Sequence, residues 1–121
     1  MIFGDGQQSR DFTYVANAVL ATLLAGSHEG ALAGEVINVG AGKRTTLLEL
    51  AGEMAEACLG DEGQTIAREP EHRAARAGDV MHSLADISKA QQILGYRPVI
   101  GLKQGLTETI SWQRETLKTG H

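Results

Sequence analysis

The apolar positions fall into short runs, and the spacing within each run predicts an element. Met1-Ile2-Phe3 is an apolar stub that enters a Gly4-Asp5-Gly6 turn, and Asp11-Phe12-Thr13-Tyr14-Val15 then has strand composition. Asp-Gly between two apolar runs supplies the positive-φ residue of a tight turn, so the two read as a hairpin. A strand starting at residue 2 reads as the continuation of something upstream. Asn17 is placed to cap a helix over residues 18–25, which is apolar nearly all round, predicts heavy burial and ends at Gly26. Glu35-Val36-Ile37-Asn38-Val39-Gly40 reads as a buried strand and Ala41 to Arg44 as a tight turn.

Thr46-Leu47-Leu48-Glu49 has the spacing of a capping box, in which hydroxyl and carboxylate each satisfy the other residue's amide. Leu47, Leu50, Ala51, Met54 and Cys58 then share one helical face, with Gly60 as the stop. Thr65 to Arg68 predicts a short strand and Glu69 to Asp79 a polar loop. Asp86 caps a helix carrying Ile87, Ala90, Ile93 and Leu94, with Gly95 at its end and Pro98 preventing continuation. The last helix presents Leu102, Leu106 and Ile110, with Trp112 one residue off the stripe. Residues 1–117 form one unit and 118–121 a frayed tail. The order is hairpin, helix, strand, helix, strand, loop, helix, helix: an α/β pattern with too few strands for a self-sufficient doubly wound sheet.

Composition narrows the function. With 121 residues there is room for one domain or part of one, which excludes a complete dinucleotide domain plus a substrate domain. Aromatics are 4%, so aliphatic and alanine packing must carry the core. The net charge of −4, with basic residues scattered, argues against nucleic-acid binding. One cysteine cannot form an internal disulfide and fits a reducing compartment. No apolar run approaches the roughly 18 residues of a membrane span, and no signal-peptide pattern opens the chain. The expectation is a cytoplasmic protein without a membrane partner.

Candidate catalytic groups are few. Cys58 lies on an apolar helical stripe, where a packed thiol is the ordinary reading. His28 and His121 sit in a loop and at the tail, and the histidines lack metal-ligand spacing with cysteines or acids. Gly40-Ala41-Gly42 follows a strand and precedes a helix, but no third glycine follows in register, and a tight turn accounts for the pair. Two arginine-centred groups carry more: Arg10 after the Gly4 to Ser9 turn, and Arg76-Ala77-Gly78-Asp79 in the long loop. Paired guanidiniums suit a diphosphate, and a carboxylate such as Asp79 suits vicinal ribose hydroxyls.

Gly4-Asp5-Gly6-Gln7-Gln8-Ser9-Arg10-Asp11-Phe12-Thr13-Tyr14-Val15 resembles the substrate-domain signature of the extended short-chain dehydrogenase/reductases, the NAD-dependent epimerase/dehydratase family acting on nucleotide sugars. Glu35 to Gly42 followed by Thr45 to Leu50, then Arg76 to Val80, Ala85 to Ala90 and Leu94 to Pro98, continue the resemblance in order from Ile2 to about Trp112. The UDP-hexose 4-epimerase branch fits best, because dehydratases usually carry a histidine between the glycine and aspartate of the loop motif. Here Gly78 adjoins Asp79.

The resemblance implies that Arg10 and Arg76 contact the nucleotide diphosphate and that Asp79 holds ribose hydroxyls. Asn38 and Tyr14 match structural positions, an amide at a strand end and a ring packing this portion on its neighbour. Ala77 stands where the family often has proline. The family's Gly-x-x-Gly-x-x-Gly loop and Tyr-x-x-x-Lys pair are not among these residues: Ala18 follows Tyr14 at the fourth position and Ile100 follows Tyr96. The implied fold is the C-terminal, substrate-binding portion of a Rossmann-type enzyme, with few short strands and about four helices. NAD is implied for the full-length family member, bound by a Rossmann half that these residues lack. The implied ligand is a nucleotide sugar, a UDP-hexose by family preference, gripped by a chain that is inactive alone. The alternatives are a stand-alone binding module or subunit pairing with a separate NAD-binding chain, and a small interaction domain of accidental likeness.

Overall fold

The computed structural model describes residues 1–59 and 70–119. In order these are β1 (Ile2–Phe3), β2 (Ser9–Arg10), α1 (Val15–Gly26), β3 (Thr45–Thr46), α2 (Leu47–Leu59), β4 (His72–Arg73), α3 (Ser88–Leu94) and α4 (Leu102–Thr119). The architecture is α/β, with four helices and few, short strands among the described residues. The sequence expectations for Gly60 and for residues 65–68 lie outside the described residues.

The strands pair across long sequence distances, which corrects the hairpin. β1 and β2 do not pair with each other. β1 lies parallel to β4, with Ile2 opposite His72, and β2 lies antiparallel to β3, with Ser9 opposite Thr46. The expected polar loop therefore contains a strand, held by Ile2 N–H to the Glu71 carbonyl at 2.7 Å and Gly4 N–H to the Arg73 carbonyl at 2.8 Å. Residues 11–14 form no strand, and α1 begins at Val15. Glu35 to Gly40 is not a buried strand either: it has no strand partner among the described residues, and Val36 is 81% exposed.

Helix ends follow local chemistry more closely. The Thr46 hydroxyl accepts the Glu49 amide at 3.1 Å while the Glu49 carboxylate accepts the Thr46 amide at 2.7 Å, so the capping box forms. The Asp86 carboxylate accepts Ser88 N–H at 2.9 Å, but α3 begins at Ser88, so its N-cap position is Ile87, which has no side-chain cap, and not Asp86. Gly95 then takes a left-handed φ of 64°, its N–H bonding the Gln91 carbonyl and Tyr96 N–H bonding the Ala90 carbonyl, which closes α3 with a left-handed glycine cap. Asn17 departs further from the expected cap. It lies inside the first turn of α1, which has no side-chain cap, and its wholly buried amide reaches instead to residues 99–100.

The core is small: Ala21 of α1, Ala90 and Leu94 of α3, and Tyr96, with Leu24, Ile37, Ile87 and Ile93 packed against it. Only one face of α1 is used. Val15, Val19 and Leu23, four residues apart, are all more than half exposed, so the helix is not heavily buried. α2 and α4 pack on each other, and Leu47, Leu50, Leu106 and Ile110 are half-buried, while Cys58, expected in that stripe, is exposed. Lys118 and Thr119, expected in the tail, belong to the last turn of α4. No described helix is long and apolar enough to cross a membrane.

Candidate functional site

The loop between β1 and β2 is built by its own sequence. Gly4 and Gly6 take φ values of +79° and +78°, a region L side chains rarely adopt, and a Cβ on Gly6 would stand 2.7 Å from the Leu48 side chain. Between them, the Asp5 carboxylate accepts Gln7 N–H at 2.9 Å, and the buried Gln8 side chain donates to the Phe3 carbonyl at 2.6 Å. The loop also serves α2, because Leu47 N–H and Leu48 N–H donate to the Gln8 and Gly6 carbonyls. Two amides at a helix start are thereby satisfied by main chain.

A second segment runs beside this loop. It leaves β1 after Arg73 and rejoins at Ser9, where Ser9 N–H donates to the Met81 carbonyl at 2.8 Å and Ser83 N–H to the Ser9 carbonyl at 3.0 Å. The Ser9 hydroxyl and His82 Nδ1, 2.9 Å apart, hydrogen-bond across the same junction. Residues 74–80 therefore arch between two fixed points. Asp79 N–H donates to the Arg76 carbonyl at 3.3 Å, and Gly78 supplies the φ of +81° that the turn requires.

This arch brings the three residues singled out from the sequence together. The Arg10 guanidinium donates to Asp79 Oδ1 at 2.6 Å and to the Ser9 carbonyl at 2.9 Å. The Arg76 guanidinium lies 3.8 Å over the Phe3 ring, a cation–π contact that fixes its plane. Phe3, Gly4, Gln8, Arg76, Asp79 and Met81 line a cleft of about 270 Å³. Asp5 lines it too, so its walls carry one guanidinium and two carboxylates, with Arg10 joined to it through Asp79. The Arg10–Asp79 pair is partly exposed, at 30% and 42%, so an anionic ligand can compete for the guanidinium against a weakly held partner. Phe3 and Gln8 carry roles the sequence reading missed. Their signal was position alone, flanking a glycine pair.

Asp11, next to Arg10, holds a different turn. Its two oxygens accept Ala41 N–H at 2.8 Å and Gly42 N–H at 3.0 Å. Both amides of the turn are thereby satisfied within the chain. Tyr96 closes the same turn from the core, its hydroxyl donating to the Gly40 carbonyl at 2.8 Å. Burial, and then the nearby Asp11 carboxylate, raise the Tyr96 phenol above its ordinary value. Tyr14 packs on α4 at Gly105 within the chain, and Asn38 is exposed. No group of three His, Cys, Asp or Glu side chains among the described residues is placed to hold a metal ion.

Known proteins resemble the chain over nearly its whole length. The sequence profile of the GDP-mannose 4,6 dehydratase family matches residues 1–109. A UDP-glucuronate 4-epimerase of Thermodesulfobacterium geofontis is 33% identical over 117 residues, which are 97% of this chain and 34% of that protein. The crystal structure of the Thermotoga maritima UDP-glucose 4-epimerase with UDP-glucose superposes with a TM-score of 0.80 at 38% identity, over 96% of this chain and 35% of that one. The Bacillus cereus UDP-glucuronic acid 4-epimerase Y149F mutant, solved with a fluorinated UDP-glucuronic acid and NAD, gives 0.80 at 32% identity, over 94% and 34%. The chain thus spans about a third of the length of the relatives it matches. It belongs to the NAD-dependent epimerase/dehydratase family of extended short-chain dehydrogenase/reductases.

Proposed function

We propose that this chain is the nucleotide-sugar-gripping portion of a UDP-hexose 4-epimerase and that it binds the nucleotide diphosphate through Arg10 and Arg76, with Asp79 accepting ribose hydroxyls. The observation that carries the reading is that Arg76 and Asp79 line one cleft while Arg10 pairs with Asp79 at its side, the three linked through the Arg10–Asp79 pair and the 76–79 turn. A diphosphate arriving there exchanges with Asp79 for Arg10. The freed carboxylate then offers its acceptor oxygens to hydroxyl donors of the nucleotide.

The redox step of such an enzyme belongs to NAD and a tyrosine acid/base. NAD supplies hydride removal and return when bound by the dinucleotide-binding Rossmann half, which these residues do not span. The 121 residues contain neither the Tyr-x-x-x-Lys pair nor the glycine loop. The chain alone therefore grips substrate without converting it, and incubation with UDP-glucose and NAD yields no UDP-galactose above background.

Isothermal titration with UDP tests the grip. Hydrogen bonds to charged groups contribute about 1.5–3 kcal/mol, so Arg10→Ala and Arg76→Ala each weaken UDP binding by roughly ten-fold or more. Equal affinity in wild type and both variants would reject the assignment.

A further inference from the structure

Lys43, Arg44, Thr45, Glu49, Glu53 and the start of α4 line a cleft of about 480 Å³ that shares no residue with the cleft of Arg76 and Asp79. Lys43 and Arg44 lead into β3, and neither forms an ion pair among the described residues. Thr45 is 7% exposed, and its hydroxyl makes no hydrogen bond among the described residues. Gly105 N–H bonds the Gly101 carbonyl at the opening of α4, where a glycine has no side chain to cap the helix. The amides of Leu102, Lys103 and Gln104 therefore lack a helical partner and find no main-chain acceptor elsewhere among the described residues. A guanidinium, a buried hydroxyl and open helix-start amides on one wall suit an anionic group.

The other wall has the opposite character. Glu49 and Glu53 stand four residues apart on α2 and so share a face. Glu49 is already engaged with Thr46 in the capping box. Glu53 Oε2 is buried and accepts no hydrogen bond among the described residues, which leaves it wanting a donor. Glu56, one turn further along α2, pairs with Lys103, which places Glu53 beside the first turn of α4. The anion-seeking and donor-seeking groups thus lie close together.

We propose that this cleft binds a small zwitterion of the amino-acid class, its carboxylate on Arg44, the Thr45 hydroxyl and the first-turn amides of α4, and its ammonium on Glu53. A purely anionic ligand meets the two carboxylates of the wall, and a purely cationic one meets Lys43, Arg44 and the positive end of α4. A ligand bearing both charges meets neither conflict. The volume leaves room for a side chain beyond the two charged ends.

The test is an amide chemical-shift titration of the full 121-residue chain with L-alanine and L-glutamine, with acetate and ethylamine as single-charge probes. The expected result is saturable shifts at residues 43–45, 53 and 101–104 with both amino acids, and binding at least ten-fold weaker for acetate and for ethylamine. Arg44→Ala and Glu53→Gln each weaken L-glutamine binding by about ten-fold or more. Glu53→Gln leaves acetate binding unchanged or tighter, a split that general loss of structure does not produce. Thr45→Val keeps a β-branched side chain in β3 and still weakens L-glutamine binding. Acetate binding as tightly as L-alanine overturns the proposal and reduces the cleft to an anion site. So does the absence of saturable shifts at these residues with either amino acid, in a chain whose cooperative thermal melt shows it folded.

Discussion

Asn17 is wholly buried and satisfies main-chain groups more than eighty residues away: its amide donates to the Ile100 carbonyl at 2.7 Å and its carbonyl accepts Val99 and Ile100 N–H at 2.9 and 3.0 Å. It ties the start of α1 to the approach to α4. Truncation to alanine strands a carbonyl and two amides, each costing about 1–3 kcal/mol when buried without a partner, partly relieved by entering water. Asn17→Ala therefore destabilises the chain by roughly 2–4 kcal/mol in urea unfolding, a large share of the about 5–15 kcal/mol typical of a domain. A loss under about 0.5 kcal/mol would contradict this role. Asparagine ahead of an apolar run reads locally as a helix cap, and only the return of residues 99–100 reveals the other use. The site residues share this limit. The spacing of Arg10, Arg76 and Asp79 carries little by itself, since the arch that joins residue 10 to residue 79 is a tertiary feature; side-chain chemistry singled them out and resemblance to the family gave that reading its weight.

Helix boundaries were legible because their chemistry is local, a matter of three or four neighbouring residues at the Thr46–Glu49 box and the Gly95 turn. The strands were not, because two-residue elements take their identity from partners far along the chain, residue 72 for Ile2 and residue 46 for Ser9. The capping box makes a pH prediction. Hydrogen bonds from the Thr46 amide and then its hydroxyl hold the Glu49 carboxyl below its ordinary 4.5, with a smaller contribution from Lys43. A carboxyl depressed in the folded state stabilises it fully above the unfolded value, and that contribution disappears as pH falls through the folded one. Glu49→Gln thus lowers the melting temperature at pH 7, and the gap to wild type narrows below about pH 4. Thermal melts at both pH values check it; a gap that widens in acid would refute the assignment.

At the scale of the whole molecule, a small core coexists with large exposed apolar side chains at Val15, Val19, Leu23, Val36 and Trp112. An all-round apolar helix such as α1 announces two buried faces, and the chain itself covers one. The low aromatic content and short strands read from the sequence find their counterpart in this partial burial. Within the chain, the same partial burial leaves a cleft lined by Asp5, Arg76 and Asp79 open between the β1–β2 loop and the 74–80 arch.

The central claim is that UDP is held in the cleft between the β1–β2 loop and the 76–81 arch. Amide chemical-shift mapping of the chain titrated with UDP tests it most directly. The account predicts saturable shifts concentrated at residues 3–10 and 75–81, lost in Arg76→Ala. Shifts centred instead on the larger cleft of about 480 Å³ bordered by Lys43, Arg44, Glu53 and Lys103, or no saturable shifts at all, would contradict it.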